Sequence, residues 1–331
     1  MKILRDDDAS LTPLEGRTVA VLGYGNQGRS QALNLRDSGV AVIVGNRDDA
    51  YLERARADGF AASSIGEAAR AADVLMILTT DESQPLIWER EIVPRIAAGD
   101  LLVWASGYNV GYGLIVPPVD VDVVAPRMPG SEVRTFFERG AGALAAVAVH
   151  QDVSGRAWEL MMAIAKGIGA ARGGVYESPF REEAELDLFA EQVVWPGIST
   201  WIEQCFALGV EHGFPPELLV LDVYGSGETT EIFDLIAKEG YFKQLKHHST
   251  TAQYGNLSRA EHMRSDELLE KGRELLVRDI KGGAFAREWS DEQSDGAAKL
   301  ERLWREALES PMAQAEEKVL PLVQRLRQGE R

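Results

Sequence analysis

The sequence predicts a protein of two domains, an α/β domain built on a parallel β-sheet followed by an all-helical domain. The chain has 331 residues, which is enough for about two domains of roughly 150 residues. Its first half alternates short apolar runs with amphipathic stretches, whereas its second half keeps apolar residues at helical spacing. We place the boundary between residues 181 and 182, so the predicted domains are 1–181 and 182–331.

The strands of the first domain are predicted from apolar runs of five or six residues that are rich in valine, isoleucine and leucine. Amphipathic segments such as 31–37 and 51–58 lie between these runs. Buried strands that alternate with helices are typical of βαβ units on a parallel sheet. The predicted strands are Thr18–Leu22, 40–44, 74–78, 101–105, 121–125 and 144–149.

The second domain is predicted to be helical because its apolar residues recur at i, i+3 and i+4, with few β-branched runs. This spacing puts the apolar side chains on one face of each helix, where they can pack against a neighbouring helix. The predicted helical segments are 186–212, 216–240, 266–281 and 302–327.

The composition excludes several classes of partner and site. With 35 Lys and Arg against 52 Asp and Glu, the formal charge is −17, and no basic cluster is present to bind nucleic acid or an anionic membrane. The single cysteine, Cys205, excludes a disulfide framework and a cysteine-based zinc site. We find neither a signal peptide nor an apolar stretch of the ~18 residues that a membrane span needs. We therefore expect a cytoplasmic protein with a small-molecule substrate.

The first predicted strand runs directly into the sequence GYGNQG at residues 23–28 and then into a predicted helix. This G-x-G-x-x-G pattern, between strand and helix, indicates a Rossmann dinucleotide-binding domain. Gly23 permits the tight turn, Gly25 lets the backbone approach a pyrophosphate, and Gly28 lets the helix pack close to the strand. The free N–H groups at the helix start face the anion. The expected cofactor-binding residues here are Gly23, Tyr24, Gly25, Asn26, Gln27 and Gly28.

The residues after the second strand leave the choice of cofactor open. Asp48 or Asp49 could accept a hydrogen bond from the ribose 2′-hydroxyl of NADH and repel the 2′-phosphate of NADPH. Arg47 could instead pair with that phosphate. Both aspartates could equally be helix N-caps without a ligand role. We expect NADH or NADPH, with NADH slightly favoured.

Six segments together resemble the short-chain form of the ketol-acid reductoisomerases. The similarity covers nearly the whole chain, in order, and its helical motifs are not shared with other Rossmann enzymes. The segments are GYGNQG (23–28), QALNLRDSG (31–39), MILTTDE (76–82), DLFAEQ (187–192), TAQYG (251–255) and FAREW (285–289).

The resemblance implies a knotted, all-helical second domain that forms an intertwined homodimer, with the active site between the domains. It also implies two Mg²⁺ ions, migration of an alkyl group within an acetohydroxy acid, and reduction of the resulting ketone by NADPH. The metal-binding carboxylates of the family's D-x-x-x-E pair correspond to Asp187 and Glu191, and its substrate-contacting serine corresponds to Ser249. Further cofactor contacts correspond to Arg47, Asp48, Thr79, Asp81, Gln84 and Ser106.

Three positions depart from the family pattern. The second metal-binding pair should occupy positions 224 and 228, where the chain has Tyr224 and Glu228. Ser106 replaces the histidine of the pattern F-A-H-G-F-N, and Arg127 replaces the lysine of A-P-K-x-P-G. The loop after Arg47 is also about one residue shorter than usual and lacks the serines that would hold a 2′-phosphate. A neutral phenol in place of a carboxylate should weaken the second Mg²⁺.

From these departures we expect a divergent member of the family, a reductase of a ketone or imine that has lost the isomerase step and binds at most one Mg²⁺. Two alternatives stay open: a genuine Mg²⁺-dependent ketol-acid reductoisomerase, and a dinucleotide-binding protein without catalysis. Candidates for the proton donor are Tyr224, Glu228, Asp187 and Glu191, and Arg127 could anchor a substrate carboxylate. For His247 and His248 we expect a surface or dimer-contact role.

Overall fold

The computed structural model describes residues 1–127 and 133–327. The chain divides into two compact units, Met1–Asp187 and Leu188–Arg331. The predicted division between residues 181 and 182 remains a prediction about the domains. Each unit is described separately below.

The first unit is built on an eight-stranded sheet with the strand order β3-β2-β1-β4-β5-β6-β7-β8. The first six strands are parallel, β7 runs antiparallel to β6, and β8 is parallel to β7. The strand order reverses between β1 and β4, as in the Rossmann fold that the sequence predicts. The strands are β1 Thr18–Leu22, β2 Ala41–Gly45, β3 Ala61–Ser63, β4 Val74–Ile77, β5 Leu101–Trp104, β6 Asp122–Arg127, β7 Ala145–Gln151 and β8 Val175–Glu177.

Helices cover both faces of this sheet, because alternate residues of each strand point to opposite faces. In β1, Val19 and Val21 belong to one buried apolar cluster, and Ala20 and Leu22 belong to another. The helices are α1 Asn26–Asp37, α2 Ala50–Ala57, α3 Ile65–Arg70, α4 Gln84–Ile87, α5 Tyr108–Gly111, α6 Val133–Glu138, α7 Ala157–Gly167, α8 Ala170–Gly173 and α9 Phe180–Phe189, with a π-helical turn at Trp88–Ile92 and 3₁₀ turns at Asp6–Asp8, Thr12–Leu14 and Val93–Arg95.

The two strands that the sequence did not predict, β3 and β8, are also the edges of the sheet. Each has only three residues, which is too short to produce a recognisable apolar run. Leu4 forms an isolated antiparallel bridge with Val175, in which each backbone N–H donates to the other residue's carbonyl at 2.8 Å. The outer edge of β8 is therefore partly paired.

The second unit is all-helical within the described residues. Three of its segments are π-helical, and one of them runs directly from α9 into α10. The helices are α10 Trp195–Glu211, α11 Pro216–Val220, α12 Glu228–Glu239, α13 Thr250–Arg259, α14 Asp266–Glu274, α15 Ala284–Ser294, α16 Ala298–Leu308 and α17 Pro311–Arg327, with π segments at Ala190–Val194, Leu221–Gly225 and Leu275–Lys281 and a 3₁₀ helix at Lys243–His247.

Two of the four predicted helical segments are interrupted. The segment 216–240 breaks after the π turn that ends at Gly225, because Gly227 has a φ of +91° and α12 starts anew at Glu228. The segment 302–327 breaks between Leu308 and Pro311. The small buried core of this unit consists of Phe206, Val220, Ala315 and Val319. Among the described residues, no helix combines the length and apolarity that crossing a membrane requires.

Candidate active site

The glycine loop of the first unit has the geometry of a phosphate cradle. Gly23 has a φ of +101°, and a Cβ there would lie 2.7 Å from the backbone nitrogen of Thr79. A Cβ on Gly28 would lie 1.9 Å from the carbonyl oxygen of Gly23. At Gly25 an added Cβ would meet no described atom within 4 Å. Gly23 and Gly28 are therefore needed for packing, and Gly25 leaves open space in front of α1.

The helix that follows the loop offers its first N–H groups to a ligand. Gly25 is the N-cap of α1, and no side chain caps that helix end. Asn26 and Gln27 form the first turn, where backbone N–H groups and the helix dipole favour an anion. The Gln27 side chain accepts a hydrogen bond from Gln31 at 2.9 Å. These residues fit the pyrophosphate of a dinucleotide.

Tyr24 has a different position from the one that its place in the motif suggests. Its side chain is buried, and its hydroxyl donates to Asp58 at 2.9 Å. Asp58 also accepts two hydrogen bonds from Arg29, at 2.7 and 3.1 Å. Arg29, and then the Tyr24 hydroxyl, hold the pKa of Asp58 below its usual range. The Tyr24 side chain thus anchors the loop to α1 and to the residue after α2.

Asn46, which sequence reasoning missed, connects the end of β2 to the glycine loop. Its Oδ1 accepts the backbone N–H of Tyr24 at 2.9 Å, and its Nδ2 donates to Asp49 at 2.9 Å. Asp49 is the N-cap of α2, since it accepts the N–H groups of Tyr51 and Leu52. Of the two aspartates, Asp49 is therefore a helix N-cap.

The remaining cofactor-loop candidates are exposed. The Arg47 side chain is 82% exposed, and its Nε donates to Asp49 at 2.5 Å. This bond holds the pKa of the Asp49 carboxyl below its usual range. Asp48 is exposed, and its carboxylate has no hydrogen-bond partner among the described residues. Asp48 is thus the aspartate whose carboxylate remains available to a ribose.

The residues after β4 and β5 form a second polar cluster at the carboxyl edge of the sheet. Gln84 is buried, and its Nε2 donates to the carbonyl of Thr79 at 2.8 Å and to Asp81 at 3.3 Å. Its Oε1 accepts from Asn109 at 2.9 Å and from Trp104 at 3.2 Å. Gln84 therefore holds the loop after β4 in place, and its side-chain amide is engaged in hydrogen bonds within the protein. Ser106 accepts the backbone N–H of Tyr108 at 3.2 Å.

Arg127, at the end of β6, is buried, and most of its guanidinium is engaged in hydrogen bonds within the protein. Its side chain is 3% exposed, and it donates to Glu183 at 2.7 Å and to the carbonyl of Ser178 at 2.5 Å. Burial lowers the pKa of Arg127, and Glu183 opposes that shift. Burial also raises the pKa of Glu183. The next residues of the predicted motif, Met128, Pro129 and Gly130, lie outside the described residues.

The candidate metal ligands belong to both units. Asp187 is exposed, and its carboxylate has no hydrogen bond or ion pair with the described residues. Partial removal of its carboxyl group from water raises its pKa, and the charge of Arg127 opposes the shift. In the second unit, Glu191 lies in the π segment that follows α9, and Glu228 is the first residue of α12. Carboxylate oxygens are the ligands that Mg²⁺ prefers, so the chemistry of these side chains fits a divalent cation.

Tyr224, at the expected position of a metal-binding carboxylate, packs against the last helix. Its ring borders the small buried core, and its hydroxyl donates to Glu316 of α17 at 2.5 Å. Burial and the bond to Glu316 raise the pKa of Tyr224 above its ordinary value. The break before Glu228 places Tyr224 and Glu228 in separate helical segments. Throughout residues 1–127 and 133–327, no group of three or more His, Cys, Asp or Glu side chains is arranged to hold a metal.

The other candidates of the second unit have local partners. Ser249 is the N-cap of α13 and accepts the N–H of Ala252 at 3.2 Å. His247 contacts Glu239 at 2.9 Å, and His248 contacts Gln244 at 3.1 Å.

Comparison with known proteins identifies the family. The model of the acetohydroxy acid isomeroreductase NADPH-binding domain matches residues 13–174, and that of the ketol-acid reductoisomerase C-terminal domain matches residues 180–325. The chain is a member of the ketol-acid reductoisomerase family. Members of this family are NAD(P)H-dependent oxidoreductases, and the protein is an enzyme of that class.

Similar ketol-acid reductoisomerases come from archaea. The chain is 46% identical to the NADP⁺ enzyme of Pyrobaculum calidifontis over 94% of this chain and 95% of that one. It is 44% identical to the NADP⁺ enzyme of Methanopyrus kandleri over 93% of this chain and 94% of that one. A solved NADH-preferring ketol-acid reductoisomerase from an uncultured archaeon is 35% identical, with a TM-score of 0.88 over 96% of this chain and 98% of that one.

These comparisons overturn the main functional prediction. The expectation of a specialised ketone or imine reductase without isomerase activity is wrong, because relatives at about 45% identity over nearly the whole chain are named ketol-acid reductoisomerases. Nothing in the comparisons supports describing the chain as a divergent member with an altered active site. The similarity of the whole chain outweighs the three substituted side chains.

Proposed function

We propose that this protein is a ketol-acid reductoisomerase acting on 2-acetolactate or a close relative. The observation that carries the proposal is the match of both family domains, end to end, in a chain that keeps the glycine cradle. During the reaction the alkyl group leaves the hydroxyl-bearing carbon and bonds to the neighbouring carbonyl carbon. The hydroxyl oxygen loses its proton and becomes a ketone, and the former carbonyl oxygen takes up a proton. A bound nicotinamide would supply the hydride that reduces the new ketone, whose oxygen takes up a proton.

The first unit's part is to bind and orient the dinucleotide. The open space at Gly25 and the uncapped N–H groups of α1 support a pyrophosphate site there. Gln84 supports the second half of the cofactor site by fixing the loop after β4. Arg127 supports the site indirectly, since its guanidinium holds Glu183 and Ser178. We therefore propose a positioning role for Arg127 in place of a substrate anchor.

Asp187 and Glu191 are our proposed ligands for Mg²⁺, with Glu228 as a third carboxylate. The absence of a described partner for Asp187 supports this assignment. When bound, the metal polarises the substrate carbonyl and stabilises the alkoxide. The Tyr224 hydroxyl donates to Glu316. A carboxylate therefore lies one hydrogen bond beyond position 224, where the family has a metal-binding carboxylate. We expect weaker binding of a second Mg²⁺ than of the first.

For the cofactor we propose that NADH serves at least as well as NADPH. Asp49 already pairs with Arg47, which reduces the attraction of Arg47 for a 2′-phosphate. The carboxylate of Asp48 stays available for the ribose 2′-hydroxyl of NADH.

We also propose a homodimer formed through the helical unit. Large apolar side chains of that unit are exposed in the single chain, among them Trp195 at 52% and Trp201 at 50%. Exposed aromatic surface of this kind is typical of an interface. Sedimentation of the purified protein tests the proposal, and a monomer at micromolar concentration would contradict it.

The function is tested by separating the two chemical steps. Purified enzyme with Mg²⁺ and NADH or NADPH should consume 2-acetolactate, and it should also reduce the ketone produced by the migration when that ketone is supplied directly. The variant Asp187→Asn should lose acetolactate turnover. Asp234→Asn, which changes an exposed acid paired with Lys238, should keep it. An enzyme that reduces the ketone but leaves acetolactate untouched would contradict the proposal.

A further inference from the structure

Buried polar atoms without a partner cluster at one edge of the first unit. The described residues contain eight buried side-chain nitrogen or oxygen atoms that have no hydrogen-bond partner. Four of the eight belong to residues at or shortly after the carboxyl ends of β4, β5 and β6. A fifth belongs to Ser178, whose carbonyl accepts a hydrogen bond from Arg127 at the end of β6. Native proteins rarely leave such atoms unpaired, so this concentration indicates a place where a ligand supplies the partners. The five residues are Thr79, Tyr108, Asn109, Arg127 and Ser178.

Tyr108 belongs to this cluster and was not among the predicted cofactor-binding residues. Its hydroxyl is buried without a described partner. Its ring packs against Tyr112, with ring centroids 5.2 Å apart. The family pattern F-A-H-G-F-N has a phenylalanine at this position and a histidine at the position of Ser106. This chain therefore lacks the imidazole and has an additional hydroxyl two residues later.

The backbone that carries Tyr108 is held on several sides. Its own N–H donates to Ser106, and the N–H of Gly107 donates to Glu183 at 3.3 Å. A Cβ on Gly107 would lie 2.1 Å from the carbonyl oxygen of Phe180, so the two backbones are in close contact. The side chain of Asn109 donates to the carbonyl of Asp81 at 3.0 Å. The hydroxyl thus stands at a fixed place, as a pre-organised ligand contact requires.

The position in the sheet indicates which half of a dinucleotide reaches this hydroxyl. In the Rossmann fold the two halves of the cofactor lie on either side of the point where the strand order reverses. The residues after β2 meet the adenosine ribose, so the nicotinamide half lies over β4, β5 and β6. Tyr108 follows β5 directly after the turn at Ser106 and Gly107.

We propose that the hydroxyl of Tyr108 donates a hydrogen bond to the carboxamide oxygen of the bound nicotinamide. Burial raises the pKa of Tyr108 to about 12, so the hydroxyl is a neutral donor at physiological pH. The bond fixes the ring that carries the hydride. The proposal depends on dinucleotide binding and is independent of the isomerase step.

Direct binding measurements test this proposal without turnover. The probes are NAD⁺ and thionicotinamide adenine dinucleotide, in which sulfur, a weak acceptor, replaces the carboxamide oxygen. Wild-type enzyme should bind the thio analogue about fivefold to tenfold more weakly than NAD⁺. The variant Tyr108→Phe should lose the same factor for NAD⁺ and should no longer distinguish the two ligands. Tyr112→Phe, the matched control on the neighbouring ring, should behave like wild type.

Three outcomes would overturn the proposal. The first is a Tyr108→Phe variant that binds NAD⁺ as wild type does, including one in which only the KM for 2-acetolactate rises. The second is weaker binding with unchanged discrimination against the thio analogue, which would assign the hydroxyl to another part of the cofactor. The third is a Tm of the ligand-free variant more than about 3 °C below wild type, since that would reveal a structural partner for the hydroxyl. A failure of the enzyme to convert acetolactate would contradict the proposed function and leave these binding tests unaffected.

Discussion

Gly25→Ala separates the cofactor-binding role of the glycine loop from its packing role. The substituted Cβ would meet no described atom within 4 Å, and Gly25 has a φ of −72°, which alanine adopts readily. The folded structure should therefore accept the methyl group. Alanine also restricts the unfolded chain more than glycine does, which contributes about 0.4–1 kcal/mol of stability.

The effect on the cofactor follows from the space that the methyl group would fill. A pyrophosphate in that space accepts hydrogen bonds from the first N–H groups of α1, and each bond to a charged acceptor contributes about 1.5–3 kcal/mol. If the methyl group displaces the phosphate from two such bonds, the loss is about 3–6 kcal/mol. Since 1.4 kcal/mol corresponds to a tenfold change, the Kd for NADH should rise about 100-fold to 20,000-fold.

Titration of nicotinamide fluorescence measures this Kd, and a thermal melt of the ligand-free protein measures stability. The control is Gly28→Ala, whose Cβ would overlap the carbonyl oxygen of Gly23 at 1.9 Å. Such overpacking costs about 1–3 kcal/mol and should lower the Tm. A Gly25→Ala variant that binds NADH within threefold of wild type would show that the pyrophosphate lies elsewhere.

Three further predictions concern the charged residues of the first unit. Asp58→Asn removes the bidentate ion pair with Arg29. Because the pKa of Asp58 is lowered in the folded protein, the ion pair stabilises the protein at pH 7, and this stabilisation is lost as the pH falls below about 4. Thermal melts of the variant and the wild type at pH 7 and pH 3 measure the difference. Arg127→Ala leaves Glu183 without its ion-pair partner and should lower the free energy of unfolding in urea by about 3–5 kcal/mol. Arg47→Ala should raise the KM for NADPH about threefold to fivefold and leave the KM for NADH within about twofold, in steady-state assays.

Each of these predictions has a result that contradicts it. For Asp58, it is a variant whose Tm differs from wild type by the same amount at both pH values. For Arg127, the contradictory result is an unchanged urea midpoint together with a KM for acetolactate that rises at least tenfold, since that combination would make Arg127 a substrate anchor. For Arg47, equal increases in both KM values would show that its side chain does not read the 2′-position.

The sequence predicts the fold and the glycine loop well because their signals are local. A buried strand such as Thr18–Leu22, the glycines after it and the helix at Asn26–Asp37 are adjacent in the chain, and the structure gives a steric reason for Gly23 and for Gly28. The contacts of Asn46 and Asp58 with the loop are a different case. They join residues that are 22 and 34 positions apart, and no periodicity reveals them.

The prediction from spacing was least successful in the second unit. Tyr224 and Glu228 would share one face of an uninterrupted helix, but Gly227 breaks that helix, and Tyr224 turns to Glu316, 92 residues away. The hydrogen bonding of Tyr224 therefore involves a partner that is distant in the sequence. A substitution considered by itself therefore suggested a lost activity, whereas the whole chain supports a retained one.

The short edges of the sheet also affect how the protein behaves when it is concentrated. An exposed strand edge offers unpaired N–H and C=O groups to another molecule, and this is a common route to aggregation. Here β3 and β8 expose only three residues each, and Leu4 occupies hydrogen-bonding groups of Val175. Lys166 secures the same N-terminal segment by donating to the carbonyls of Asp6 and Ala9. The first ten residues thus leave fewer hydrogen-bonding groups of the β8 edge open to pairing with another molecule.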